Sequence, residues 1–309
     1  MASAAVLRRR AALLRDIRAF FADRCVLEVE TPLLSRHAAT DPAIHSLVSS
    51  WGGKTCFLAT SPEFPMKRLL AAGLGPIYQI SKVFRDGERG RRHHPEFTML
   101  EWYRPGFTLE DLIGEVEALL HATLAELALP QAMILDYEKA LVDCCGVPLD
   151  ADAKQLWPVL QAVGWTNDLP APAIWQDLLF GTMVVPRLGH DQPVFITNFP
   201  VDQAALAEID PGPPPRAQRF ELIVHGMELA NGFLELRDAN EQKRRFTQDN
   251  ARRLSLGLDP MPMDEHLLAA LESGLPPCSG VALGLDRLLM IACHSSSIDE
   301  VLAFPIERA

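Results

Sequence analysis

The stretch from Ile77 to Tyr103 constrains this chain more than any other. An apolar strand pattern, Ile77 to Phe84, ends in Arg85. A basic loop follows, Asp86-Gly87-Glu88-Arg89-Gly90-Arg91-Arg92-His93-His94, and after Pro95 a second strand pattern brings Phe97, Glu101 and Tyr103 to alternating positions. Side chains alternate across a strand, so these three share one face. The pattern predicts an antiparallel hairpin with a cationic tip and a face carrying aromatic rings and a carboxylate. That arrangement suits gripping a triphosphate and an amine side by side.

The remaining segments place helices and strands around this hairpin. Leu13, Leu14, Ile17, Phe20 and Phe21 recur at helical spacing and predict a helix over Leu7 to Asp23. Val26 to Glu30 alternates like a strand and closes at Thr31-Pro32. Phe57 to Thr60 reads as a short strand, Ser61-Pro62-Glu63 breaks it, and a helix begins at Met66. A helix is expected over Leu109 to Leu127, and residues 130–215 hold short apolar runs and prolines without evident chemistry. Pro211-Gly212-Pro213-Pro214-Pro215 predicts an exposed bend. Strands are expected over Arg219–Val224 and Met227–Leu236, then a polar helix over Ala239–Leu256. The stretch 280–288 reads as a glycine-spaced strand running into an apolar helix. Strands and helices follow no βαβ rhythm, so the fold class is α+β with an antiparallel sheet.

Composition narrows the class of protein. With 309 residues, 48% hydrophobic and 22% charged, the chain can build one large core. No apolar run approaches the roughly 20 residues needed to span a bilayer, and the basic start lacks the apolar core of a secretory signal, so no membrane partner and a cytoplasmic location are expected. Six cysteines without a C-x-x-C pair are expected to be reduced and mostly buried. A net charge of −11 argues against an extended RNA-gripping surface, although Arg8, Arg9, Arg10, Arg15 and Arg18 form a local basic cluster.

The hairpin resembles motif 2 of class II aminoacyl-tRNA synthetases, and its return strand Pro95-Glu96-Phe97-Thr98-Met99-Leu100-Glu101-Trp102-Tyr103 resembles the lysyl type. The first helix, strand and proline resemble motif 1, the dimerisation element, over about residues 7–35. The segment around Gly284-Leu285-Asp286-Arg287 resembles motif 3, over about 278–296, with motif 2 over about 77–104. Glu228-Leu229-Ala230-Asn231-Gly232-Phe233-Leu234-Glu235 is similar to the E-x-x-N-G-F-x-E segment of lysyl synthetases. The resemblance implies a single catalytic domain over residues 1–309.

The resemblance also implies roles. Arg85 and Arg287 would be the catalytic cations on ATP, with Arg287 at the γ-phosphate and Phe97 stacking on adenine. Asp86, Gly87, Glu88, His93, His94, Leu229 and Gly284 would line the nucleotide, and Glu221 and Glu228 would hold its Mg2+. Glu235, with Glu101 and Tyr103 close by, would meet the distal amine of a lysine-like substrate. Ser61, Pro62 and Glu63 would face the other amino group, and Asn231 and Ala282 would complete the amino-acid site. Two ammonium groups that lose water on binding require separate carboxylates. Without the resemblance, an arginine ending a strand is an ordinary ion-pair partner, and either loop histidine an ordinary exposed one.

Two positions depart from the family pattern. Gly87 stands where class II enzymes carry the glutamate that reads adenine. Either Glu88 takes over, or backbone and Phe97 alone hold the base. Ala282 stands where lysyl synthetases have glycine, which either reshapes the pocket floor or is neutral. An OB-fold anticodon domain of roughly a hundred residues is not seen before motif 1, so anticodon recognition of tRNA is not expected. The arrangement is similar to the lysyl-type paralogues that activate (R)-β-lysine, or lysine, and transfer it to a lysine ε-amine of elongation factor P. A homodimer is expected. Two alternatives remain: a stand-alone ligase acting on tRNA or a small molecule, and a regulatory paralogue without chemistry.

Overall fold

A computed structural model describes residues 2–309. The chain divides into two compact units, one built from residues 2–108 and 236–309, the other from residues 109–235.

The first unit opens with helix α1 (Ala4–Ala22), capped by the Ser3 hydroxyl, and buries Leu13, Ile17, Phe20 and Phe21. The expected strand after it is reduced to β1 (Leu27–Glu28), which runs parallel to β5 (Ile77–Phe84). Between them lie β2 (Leu34–Ser35), β3 (Val48–Trp51) and β4 (Lys54–Leu58), a separate antiparallel sheet in the order β2-β4-β3, and α2 (Glu63–Ala71). The β3–β4 turn uses Gly52 and Gly53, both at positive φ. β5 then pairs antiparallel with β6 (Glu96–Pro105), in the expected hairpin.

The second unit begins with α3 (Leu109–Thr123), one turn shorter than expected because Ala125–Leu127 tightens into a 3₁₀ turn. Residues 130–215 supply β7 (Met133–Asp136), α4 (Tyr137–Cys145), α5 (Ala153–Ala162), α6 (Pro172–Leu179), β8 (Val194–Thr197), β9 (Ile209–Asp210) and β10 (Arg216–Ala217). β11 (Arg219–Val224) and β12 (Met227–Leu234) form an antiparallel hairpin, β8 pairs antiparallel with β11, and β7 lies parallel to β8. This unit has its own core, in which the Tyr137 and Phe180 rings stack at 4.5 Å beside Trp175, Leu179 and Phe199. The proline-rich bend at 211–215 is largely exposed, as expected.

The chain then returns to the first unit through α7 (Ala239–Ser255), α8 (Glu265–Gly274), β13 (Cys278–Gly284) and α9 (Leu285–Ala292). β13 pairs antiparallel with β6, giving the order β1-β5-β6-β13. The even-numbered residues of β6 face α1: Phe21 stacks on Tyr78 at 4.4 Å and meets Trp102 edge-on at 5.3 Å. The odd-numbered residues, Phe97, Met99, Glu101 and Tyr103, therefore occupy the opposite face. Antiparallel pairing dominates both units, so the α+β class holds. The thiols depart from expectation: all six are free, but only Cys56 and Cys278 are buried, and Cys25 is exposed in the turn after α1.

Candidate active site

In the first unit, Arg85 leaves β5 with its side chain largely buried, and its Cζ lies 5.2 Å from the centre of the Phe97 ring. Its Nε donates to the Thr60 carbonyl at 3.4 Å and one Nη approaches Glu88 Oε1 at 3.5 Å. Gly87 adopts φ +76°, a left-handed conformation that a glutamate would enter only with strain. That turn carries Glu88, one residue later, to Arg85. Across the loop, Arg287 Nη2 lies 2.9 Å from His93 Nε2, and its Nε donates to the Arg92 carbonyl. The Arg92 guanidinium is made easier to deprotonate, first by burial and then by repulsion from Arg287 and Arg91. Like charges held this closely favour a polyanion.

His94 has a different place from the one expected. It is 4% exposed, its Nδ1 lies 2.6 Å from the Glu96 carbonyl, and its Nε2 accepts from the Ile306 N–H at 2.9 Å. With both nitrogens engaged by backbone, His94 anchors the loop and has no nitrogen left for a phosphate. The same anchoring includes Arg89, which reaches Asp299 and Glu307 at 2.9 and 2.7 Å, and the Ile298 N–H, which donates to the Arg91 carbonyl.

Asp286 and Thr98, the chain neighbours of Arg287 and Phe97, are tied together by hydrogen bonds that nothing in the local sequence signals. β13 pairs with β6 only as far as Gly284 and Met99, so the Thr98 N–H lies one residue beyond the ladder. Asp286 Oδ2 accepts it at 2.6 Å. Arg10 of α1 donates to Asp286 Oδ1 at 2.5 Å and to Thr98 Oγ1 at 2.6 Å. Residues far apart in sequence thus converge on one side chain that is 1% exposed. Gly284 itself caps α9 at φ −73°, and a Cβ there would meet the Arg287 side chain at 3.6 Å.

The face of β6 opposite α1 carries the amine-binding candidates of this unit. Tyr103 Oη donates to Glu101 Oε1 at 2.7 Å, with both residues at 2% exposure. Ala282 stands in register with Glu101 on β13, so its methyl group lies beside that carboxylate. Ser61 Oγ accepts the Glu63 N–H, Pro62 precedes α2, and Glu63 opens that helix. Glu63 Oε1 also binds Lys67 Nζ at 2.7 Å, and Lys67 is 1% exposed. The i,i+4 spacing was visible in sequence, but burial of the lysine was not.

In the second unit, Glu221, Glu228 and Asn231 are brought to one face by a β-bulge. Glu221 registers with Asn231 and Ile223 with Glu228, while Leu229 has no partner across β11. The extra residue shifts the alternation by one, so side chains that a straight strand would separate point the same way. Leu229 itself is buried, leaving only its backbone to face a ligand. Arg219 binds the Glu221 carboxylate and donates to Asn231 Oδ1 at 3.2 Å. Burial pushes the Glu221 carboxyl up to about 7, against the pull of Arg219 and with a further push from Glu228. No cluster of three or more His, Cys, Asp or Glu side chains able to hold a metal occurs among the described residues. Glu235, 1% exposed, follows β12 and bridges by its backbone to Ala207.

A family model described as tRNA synthetases class II (D, K and N) matches residues 2–308. The chain belongs to that family. It is also 48% identical to a Vibrio cholerae protein named elongation factor P--(R)-beta-lysine ligase, over 100% of this chain and 97% of that one. Proteins of the same name from Photobacterium profundum and Sodalis glossinidius are each 47% identical, over 100% and 98% of this chain and 98% and 95% of theirs. Among the described residues no helix is long and apolar enough to cross a membrane.

The residues that the family resemblance expects in the site fall in both units. The first gathers Arg85, Glu88, Phe97, His93 and Arg287 around the loop, and Glu101, Tyr103 and Ala282 on one sheet face. The second gathers Glu221, Glu228 and Asn231. His94 is the expected nucleotide residue whose ring nitrogens are both engaged by backbone.

Proposed function

We propose that this protein is an ATP-dependent, AMP-forming ligase. It activates (R)-β-lysine, or lysine, as an aminoacyl-adenylate and transfers it to a lysine ε-amine of elongation factor P. The observation that carries this reading is identity of 47–48% over nearly the whole length of relatives named for that reaction.

The chemistry needs little covalent help from the protein. A substrate carboxylate oxygen attacks the α-phosphorus, the bond to pyrophosphate breaks, and the acceptor amine then displaces AMP from the acyl carbon. Positioning and positive charge lower the barrier of the first step. Arg85, lying over Phe97, is assigned to the α-phosphate and the substrate carboxylate, with Phe97 beneath the adenine. Glu88 takes the base-reading place that Gly87 leaves vacant. Arg287 and His93 hold the distal phosphates. Glu101 and Tyr103 receive the distal ammonium; Ser61 and Glu63 receive the other. Two carboxylates on one face, Glu221 and Glu228, suit a hard divalent cation whose remaining ligands are phosphate and water oxygens. Bound there, Mg2+ would neutralise phosphate charge. The protein works in the cytoplasm as a homodimer through the α1 and β1 segment, without anticodon recognition of tRNA.

Exchange of labelled pyrophosphate into ATP, measured with lysine, (R)-β-lysine and aspartate, tests the activation step. Exchange driven by a diamino acid supports the assignment. Exchange driven by aspartate, or by none of the three, contradicts it.

A further inference from the structure

Gln79 lies on β5 in register with Glu101 on β6, which is in turn in register with Ala282 on β13. Registered residues on neighbouring strands share a face, so the three side chains form one row across the sheet. Gln79 is 2% exposed, and its amide oxygen is buried without a hydrogen-bond partner. Ser81, two residues along the same face, has a hydroxyl oxygen in the same condition. Buried acceptors in native proteins nearly always have a donor, and one left without calls for a water molecule, an ion or a ligand group to complete it.

The chemistry around the row says what kind of group. Gln79 Oε1 and the Glu101 carboxylate are acceptors, Ser81 Oγ can both donate and accept, and the Tyr103 hydroxyl directs its proton to Glu101 Oε1. A group that suits Gln79 Oε1 beside a carboxylate is a donor carrying several protons and a positive charge, which describes an ammonium. We propose that Gln79 is a substrate-binding, specificity-determining residue whose amide oxygen, together with Glu101, receives the distal ammonium of the amino-acid substrate. A carboxylate attracts a cation from a wide range of directions, whereas a single amide oxygen is directional. Gln79 therefore fixes where along the chain the amine must lie, and Ala282, at the other end of the row, limits the room beside it.

The proposal rests on the ligase reading, and two measurements keep them apart. Amine-dependent pyrophosphate exchange by the unaltered protein reports on the reading; without it both fall. The second compares Gln79→Met with the unaltered protein, using (R)-β-lysine and 3-aminohexanoic acid, which lacks the distal amine. The expected result is a rise of about tenfold or more in KM for (R)-β-lysine, with KM for ATP and for the monoamine within about twofold. Gln79→Asn, which keeps the amide but withdraws it by one carbon, should show the same split. Unchanged KM for (R)-β-lysine would mean that the orphan oxygen serves only a water molecule. An equal loss on both amines would mean a structural role. Either result overturns the proposal.

Discussion

Tyr103 and Glu101 form a buried pair in which the phenol donates to the carboxylate at 2.7 Å. They sit two residues apart on one face of β6, so the hydroxyl steers the carboxylate from within the same strand. Tyr103→Phe leaves a buried carboxylate with one donor fewer, which costs about 1–3 kcal/mol. We expect a lower melting temperature and about a tenfold higher KM for the diamino acid, with KM for ATP unchanged. Equal changes in both KM values would contradict the pairing's role in amine binding.

Arg85 should be indispensable to chemistry and dispensable to the fold. Its guanidinium lies over the Phe97 ring and hydrogen-bonds a carbonyl and a carboxylate at 3.4 and 3.5 Å, both long for strong hydrogen bonds. Arg85→Ala is expected to abolish pyrophosphate exchange while circular dichroism and melting stay close to the parent. Retained exchange would remove Arg85 from the catalytic role.

Asp286 has the opposite balance. It joins Arg10, Thr98 and the start of α9, and breaking such a buried pair costs about 3–5 kcal/mol. Arg10→Met should lower the unfolding free energy by about 3 kcal/mol and raise KM for ATP, because Thr98 and Asp286 adjoin Phe97 and Arg287 in sequence. A stability loss below about 0.5 kcal/mol in urea unfolding would show that the contact is loose.

Glu221 predicts a pH dependence of definite sign. Its carboxyl is raised from 4.5 to about 7 in the folded protein, so the fold favours the protonated form. That contribution is fully present below about pH 4.5 and lost as the pH rises through about 7. In magnesium-free buffer, stability should fall by about 1–3 kcal/mol across this window, and Glu221→Gln should flatten the fall. A rise in stability attributable to Glu221 over the same window would contradict the assignment.

The homodimer assignment predicts twice the chain mass by light scattering. Leu27 and Leu34, 53% and 41% exposed, lie on the segment expected to be covered. A monomer at micromolar concentration would contradict it.

Local pattern was legible where periodicity and chemistry coincide. β5 was bounded correctly because apolar residues stop at Arg85, and β11 because Arg219 and His225 bracket an apolar run. Helix α8 and the helices of residues 130–215 were missed as elements because short segments bury faces that only tertiary packing completes. The spacing of Glu221, Glu228 and Asn231 was visible, but the bulge at Leu229 that aligns them depends on cross-strand pairing. His94 and His93 are neighbours in sequence, and nothing local says that the Ile306 N–H claims one of them. Asp286 was read only as the companion of Arg287; its partners lie at positions 10 and 98.

The most direct test supplies purified protein with ATP, Mg2+ and radiolabelled (R)-β-lysine or lysine, and offers elongation factor P and tRNA as acceptors in parallel. Label on elongation factor P, stronger with (R)-β-lysine and lost when the acceptor lysine is replaced, is the predicted result. Label on tRNA alone would contradict the central claim and make the chain a tRNA-charging ligase instead.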